Sequence, residues 1–286
     1  MRARARGAAG EVGGRRDLGA RRDVGGVPDD GAMCGRYASF REAQDLADAF
    51  AIDAALVEPA VRELAPSWNV APTQDVRIVV ERAPRRDSTG PGDAPQRSLR
   101  LARWGLVPSW AKDPSVGNRM INARVESLAD KPAFAKPFAA RRCIVPADGY
   151  YEWKKLEPAP GSSPSGRARV PKQPYYIAPA DDDVAALAGL YEFWRDPSRA
   201  ADDPRRWLVS TTIVTMPASE DLASIHDRMP LVLPRSAWDA WLDPSVGAEG
   251  AAALLSREPE PLRFREVSSL VSNVNNDSPA LLAPVG

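Results

Sequence analysis

One histidine and two cysteines in 286 residues exclude more than any abundance in this chain does. A zinc centre takes four ligands, mostly Cys and His, so three such residues cannot complete one without carboxylates. No metal and no cofactor are expected. Two cysteines in a chain this long do not make a disulfide scaffold, which points to a reducing, cytoplasmic setting. No segment reaches the run of about 18 apolar residues that crossing a membrane requires. The formal net charge is zero, so overall charge does not announce a nucleic-acid partner, and any basic groove must be local. No stretch repeats another.

The beginning of the chain also lacks what a fold needs. Residues 1–32 carry seven Arg, five acidic residues, eight Gly and no aromatic residue, leaving little to bury. They have no apolar core of the secretory kind, and their acidic residues do not suit a transit peptide. We read residues 1–32 as a disordered leader or a mis-assigned start. Residues 33–286 are then the working domain, globular in composition at 44% hydrophobic and 27% charged over the whole chain.

At that boundary stand Met33-Cys34-Gly35-Arg36. A Cys after an initiator Met becomes the first residue once the Met is removed, and then carries an α-amine and a thiol on adjacent carbons. An α-amine has a reference pKa near 7.7–8.0, so roughly a quarter is unprotonated near pH 7.4, against about one in a thousand for Lys. Such an amine can attack an aldehyde, and the thiol can close a ring on the imine.

Ser39 and Glu42 have capping-box spacing, and Leu46 with Phe50 gives an apolar i, i+4 pair, so 40–52 is expected as a helix. Alternation at Val76, Ile78 and Val80 and at Leu99 and Leu101 predicts strands. Further strands are expected at 142–153, 174–179, 184–194 and 206–215, with a strand-like stretch at 262–274. Residues 84–98 and 157–173 are loops, Asp181 to Asp183 a turn, and 236–242 (capped by Ser236) and 247–256 helical. Many short strands without βαβ alternation argue for an α+β fold on antiparallel or mixed sheets.

Five residues are candidates for the chemistry, each with a plain structural alternative. Cys34 is a candidate nucleophile, or a small buried hydrophobe; Cys143, inside RCIVPA, is a core residue. His226, in IHDRMPLVL, is the only side chain with an unperturbed pKa near neutrality, or a hydrogen-bonded structural residue. Glu152 sits among Tyr150, Tyr151 and Trp153, where desolvation would raise its pKa and suit it to proton transfer; otherwise it faces outward. Asn122 and Arg124, two apart on a strand, share a face that could hold a phosphate or form a surface pair.

Taken in order, MCGRY (33–37), WNVAPT (68–73), RWGLVPSW (103–110), INARVES (121–127), RRCIVPADGYYEW (141–153), IHDRMPLVL (225–233) and VSNVNN (271–276) resemble the SRAP family of abasic-site-processing proteins, also named SOS-response-associated peptidases. The resemblance implies a compact fold with a twisted, partly open antiparallel or mixed β-barrel flanked by short helices, and a positively lined groove. It implies that Cys34, as the first residue, captures the ring-opened aldehyde of an abasic site in single-stranded DNA as a thiazolidine crosslink. Asn122 would position the Cys34 backbone or the substrate, with Glu152 and His226 moving protons. Arg36, Arg124 and Asn69 would contact DNA, and Trp104 and Trp110 would pack on bases, although Trp110 is followed by Ala111 where some members have a second aromatic. It further implies autoproteolytic removal of whatever precedes Cys34. The partner would be single-stranded DNA bearing abasic sites, with no membrane, and the protein a cytoplasmic monomer, nucleoid-associated when bound.

Two other enzyme readings and one binding reading compete. N-terminal-nucleophile amidotransferases can also begin MCG, but their RGPD and NGE segments are absent here. A Cys34–His226 peptidase acting on other proteins is chemically possible, although no residue pattern signals a peptide substrate. A noncatalytic single-stranded DNA-binding module would use the Trp and Arg residues and leave Cys34 idle.

Overall fold

The computed structural model describes residues 34–83, 95–157 and 170–285; the leader and most of the two expected loops lie outside these. The strands are β1 (Tyr37–Ser39), β2 (Ser67–Val70), β3 (Asp75–Arg82), β4 (Gln96–Trp104), β5 (Asn122–Arg124) and β6 (Arg142–Ala147). They continue with β7 (Gly149–Lys155), β8 (Lys172–Pro179), β9 (Ala185–Arg195), β10 (Trp207–Pro217), β11 (Arg228–Pro230) and β12 (Leu262–Glu266). The helices are short: α1 (Ala43–Ala49), α2 (Pro59–Glu63), α3 (Ala135–Ala140), α4 (Glu220–Ala223), α5 (Trp238–Leu242) and α6 (Ala248–Leu254). None among the described residues is long and apolar enough to cross a membrane.

Five strands close a mixed barrel. Strands β4, β3, β6 and β9 pair antiparallel in that order, and β10 completes the ring, antiparallel to β9 and parallel to β4. The expected barrel is present, closed rather than partly open. Strand β5 runs parallel to β10 at Ile213–Thr215, and β11 antiparallel to it at Thr215–Pro217. A second, antiparallel sheet has the order β12–β8–β7–β1–β2.

Alternation on the barrel strands sorts their side chains into two cores. Val76, Ile78, Val80, Trp104, Cys143, Val145 and Leu187 join Tyr37, Tyr150 and Ile177 of the second sheet, which places Cys143 in the core as expected. The intervening Val79, Leu99, Ile144, Ala186 and Ala188 pack against Leu46, Phe50, Phe138, Trp238 and Trp241 of the helical layer. Arg142, only 4% exposed, stitches that layer to the barrel. Its guanidinium donates to the carbonyls of Phe138 and Ala139 in α3, of Trp241 in α5, and of Asp243 and Val246. A cation at these carbonyls satisfies groups that a helix leaves without partners.

Several local expectations give way to longer-range contacts. The stretch 142–153 is not one strand: β6 belongs to the barrel and β7 to the second sheet. The chain crosses at Asp148-Gly149, where a Cβ on Gly149 would lie 2.5 Å from the Tyr176 ring. Ser39 belongs to β1, so the capping box does not form, and α1 starts after Glu42 without a side-chain cap. Asp148 instead accepts from the backbone N–H groups of Phe40 (2.6 Å) and Arg41 (3.3 Å), fixing the turn into α1. Ser236 lies within a 3-10 turn and caps nothing; α5 begins at Trp238. The strand expected over 262–274 stops at Glu266, followed by a 3-10 turn at Ser269–Ser272.

Candidate active site

Strand register brings Cys34 to a carboxylate. Tyr37 pairs with Tyr150 across β1 and β7, and the Tyr151 N–H donates to Arg36 O (3.0 Å). Continuing antiparallel, the chain carries Cys34 past Glu152, and the Cys34 N–H donates to Glu152 Oε1 at 2.8 Å. Cys34 is wholly buried, with φ of 38°, in the left-handed region that non-glycine residues rarely adopt. On its other side, parallel pairing of Asn122 with Ile213 sets β5 in place. Asn122 Nδ2 then donates to Cys34 O at 3.5 Å, a long bond. Cys34, Asn122 and Glu152, far apart in sequence, thus meet at one point.

The electrostatics favour uncharged forms. Glu152 is 3% exposed, and desolvation pushes its pKa up to about 8. The Cys34 N–H pulls it down, while the negative charge of Asp227 pushes it further up. The desolvation expected from the aromatic setting is therefore present. Burial, with Glu152 adding to it, holds the Cys34 thiol well above its usual pKa. A carboxyl that changes protonation near neutrality, touching the nitrogen of a Cys, is suited to passing protons to and from that nitrogen.

His226 stands apart from this contact. Its Nδ1 accepts from the Arg228 N–H (3.1 Å) and lies 3.0 Å from Asp227 Oδ1. No hydrogen bond joins it to Cys34, Asn122 or Glu152 among the described residues, so the nucleophile–base pair of a Cys34–His226 peptidase is not formed. Its loop nevertheless belongs to the site, because Asp227 acts on Glu152. The Arg228 guanidinium holds that loop by donating to the Glu126 carboxylate and to Thr215 O. Glu126 and Arg228 lie inside the INARVES and IHDRMPLVL segments, and their opposite charges are a sequence signal that could have paired the two.

The expected DNA contacts divide. Arg124 is exposed beside Asn122, and Trp110 is 63% exposed; the Trp194 indole fixes the adjacent turn by donating to Ala111 O (2.7 Å). That turn follows Gly105, whose φ of 121° and close approach to Gly117 O leave no room for a Cβ. Trp104 offers a base nothing. It is 0% exposed, edge-on to Tyr37 at 5.2 Å, with its indole N–H on Ile121 O. Asn69 is corrected likewise: 2% exposed, it donates to the carbonyls of Val271, Asn273 and Asn276. Its Oδ1 accepts from Arg36 (2.9 Å), whose guanidinium also donates to the carbonyls of Val271 and Ser272. Asn69 therefore places Arg36 and does not reach a ligand itself. Among the described residues, no three His, Cys, Asp or Glu side chains gather as metal ligands do.

Known proteins are similar to this chain in sequence and in fold. The family model described as SOS response associated peptidase (SRAP) matches residues 33–274. The abasic site processing protein YoqW of Bacillus subtilis (strain 168) is 37% identical over 252 residues, covering 87% of this chain and 99% of that protein. The abasic site processing protein HMCES of Gallus gallus is 32% identical over 243 residues, covering 77% of this chain and 66% of that protein. In fold, a solved structure from Bacteroides thetaiotaomicron superposes with a TM-score of 0.69 at 22% identity, covering 88% of this chain and 100% of that one.

Proposed function

The chain belongs to the SRAP family, and from that membership and the site geometry we propose that it processes abasic sites in single-stranded DNA by capturing them covalently on Cys34. The observation that carries this reading is the 2.8 Å contact between the Cys34 nitrogen and Glu152. With residues 1–33 removed, by autoproteolysis at Cys34 or by loss of the initiator Met from a shorter chain, that nitrogen is an α-amine. It adds to C1′ of the ring-opened sugar, giving a carbinolamine. Protonated Glu152 gives its proton to the departing hydroxyl, which leaves as water as the C=N bond forms. The Cys34 sulfur then adds to C1′, and the thiol proton restores Glu152. The net change is aldehyde plus aminothiol to thiazolidine plus water.

The remaining residues serve that step. Asn122 holds the Cys34 carbonyl and so aims both reacting atoms. His226 is the second proton carrier, assisting sugar opening and reversal of the link. Arg36 and Arg124 supply positive charge for phosphates, and exposed Trp110 supplies a face on which a base can stack without sequence readout.

The test is a heat-stable adduct between abasic single-stranded DNA and protein expressed from Met33, its first residue verified as Cys34 by intact mass. Cys34→Ala should form no thiazolidine while retaining a borohydride-trappable imine through its α-amine. Full-length protein with its leader intact should form neither. Equal crosslinking by the intact full-length chain would overturn the amine mechanism.

A further inference from the structure

Tyr150 precedes Glu152 by two residues on β7, so the two side chains leave the same face of the strand. Cys34 and Tyr150 also share one apolar cluster. The Tyr150 side chain is 0% exposed, yet its hydroxyl has no hydrogen-bond partner among the described residues. Burying a hydroxyl unpaired carries its full desolvation penalty, and phenylalanine would fill the same space without that cost. Burial, and after it the neighbouring Cys34 and Glu152, holds the phenol well above its usual pKa. It is therefore a hydrogen-bond donor throughout the neutral range. Neither the Cys34 sulfur nor the Glu152 carboxylate accepts from it.

We propose that Tyr150 is a further catalytic residue, whose hydroxyl donates a hydrogen bond to the aldehyde-derived oxygen of the captured sugar. This rests on the capture reading above. Among the reacting atoms, that oxygen is the acceptor the protein does not itself contain. It becomes the carbinolamine hydroxyl and then departs as water. A donor fixed beside it stabilises charge as the C–O bond breaks, while Glu152 supplies the transferred proton and Tyr150 keeps its own.

The experiment compares mature parent with Tyr150→Phe, each beginning at Cys34. Affinity for single-stranded DNA carrying tetrahydrofuran, an abasic analogue without an aldehyde, should be unchanged. Single-turnover crosslinking should slow about tenfold, the loss of one hydrogen bond in the transition state. The melting temperature should stay level or rise, because only an unpaired oxygen is removed. The same comparison in the Cys34→Ala background, read by borohydride trapping, isolates loss of the oxygen from closure by sulfur. The tenfold slowing should persist there. Parent-like rates in Tyr150→Phe, or slowing that disappears without the thiol, would overturn the assignment. Failure of the parent itself to crosslink would instead overturn the capture reading.

Discussion

At the scale of single residues, the raised pKa of buried Glu152 predicts a pH dependence. If its protonated form expels water, that step should slow as pH rises and Glu152 ionises, so single-turnover crosslinking between about pH 6 and 9.5 should rise as the Cys34 α-amine loses its proton and fall again on the alkaline side. Glu152→Gln should lose about 10²–10⁴-fold in rate and lack that alkaline fall. Stability follows the same group. Its folded pKa of about 8 lies above the ordinary 4.5, so protonated Glu152 favours the folded chain. That contribution is complete below about 4.5 and is lost as pH rises through about 8. The melting temperature should therefore fall across this window in the parent, and fall less in Glu152→Gln. His226→Ala should bind abasic DNA like the parent and differ in the rate of sugar opening or of reversal, since among the described residues its ring contacts Arg228 and Asp227. The candidate residues were legible in the sequence: a Cys after Met, an acid among aromatics, a lone His. Burial was not, because a motif names residues without saying which side of a strand faces inward. Trp104 and Asn69 therefore looked like DNA contacts, whereas packing places them in the interior.

Elements depend on partners remote in sequence, and here local pattern was least informative. The capping box at Ser39 and the cap at Ser236 are valid local signals that lose to tertiary contacts. In the first case Asp148, more than a hundred residues away, supplies the acceptors. Strand alternation survived better: the periodicity at Val76, Ile78 and Val80 marks one face of β3, although the opposite face is covered too. Arg142 shows how strongly elements are bound to each other. Arg142→Met should cost about 3 kcal/mol or more, because carbonyls at the ends of α3 and α5 lose their donor within an apolar layer. Urea denaturation should show a lower midpoint with little change in slope. Asn69→Ala should release the segment from Val271 to Asn276 and with it Arg36. Binding to single-stranded DNA should weaken severalfold although Asn69 itself lies beneath the surface.

For the whole molecule, a chain of zero net charge can bind DNA only through local placement of its cations. Arg124→Ala should weaken binding and lower the salt slope by about 0.7, the loss of one phosphate contact on a single strand. Trp110→Ala should weaken it by about 1–3 kcal/mol with the slope unchanged, since stacking releases no counterions. Titrations at several salt concentrations separate these outcomes. The α+β class was legible because strand-rich, helix-poor patterning excludes most alternatives, and the barrel followed from the family resemblance; its closure was not legible, since β10 pairs with its neighbour β9 and also with β4, about a hundred residues earlier. One mechanical consequence follows from where Cys34 is attached. Only Gly35 and Arg36 separate it from β1, which lies between β7 and β2 rather than at an edge. A captured DNA strand under tension from a motor would therefore pull on a three-residue strand gripped along both sides. From there the load passes through β7 and across the Asp148-Gly149 corner into the closed barrel. In a single-molecule pulling assay, the tethered protein should hold until β1 peels away, and Asn69→Ala should lower that force by loosening the Arg36 clamp beside the anchor.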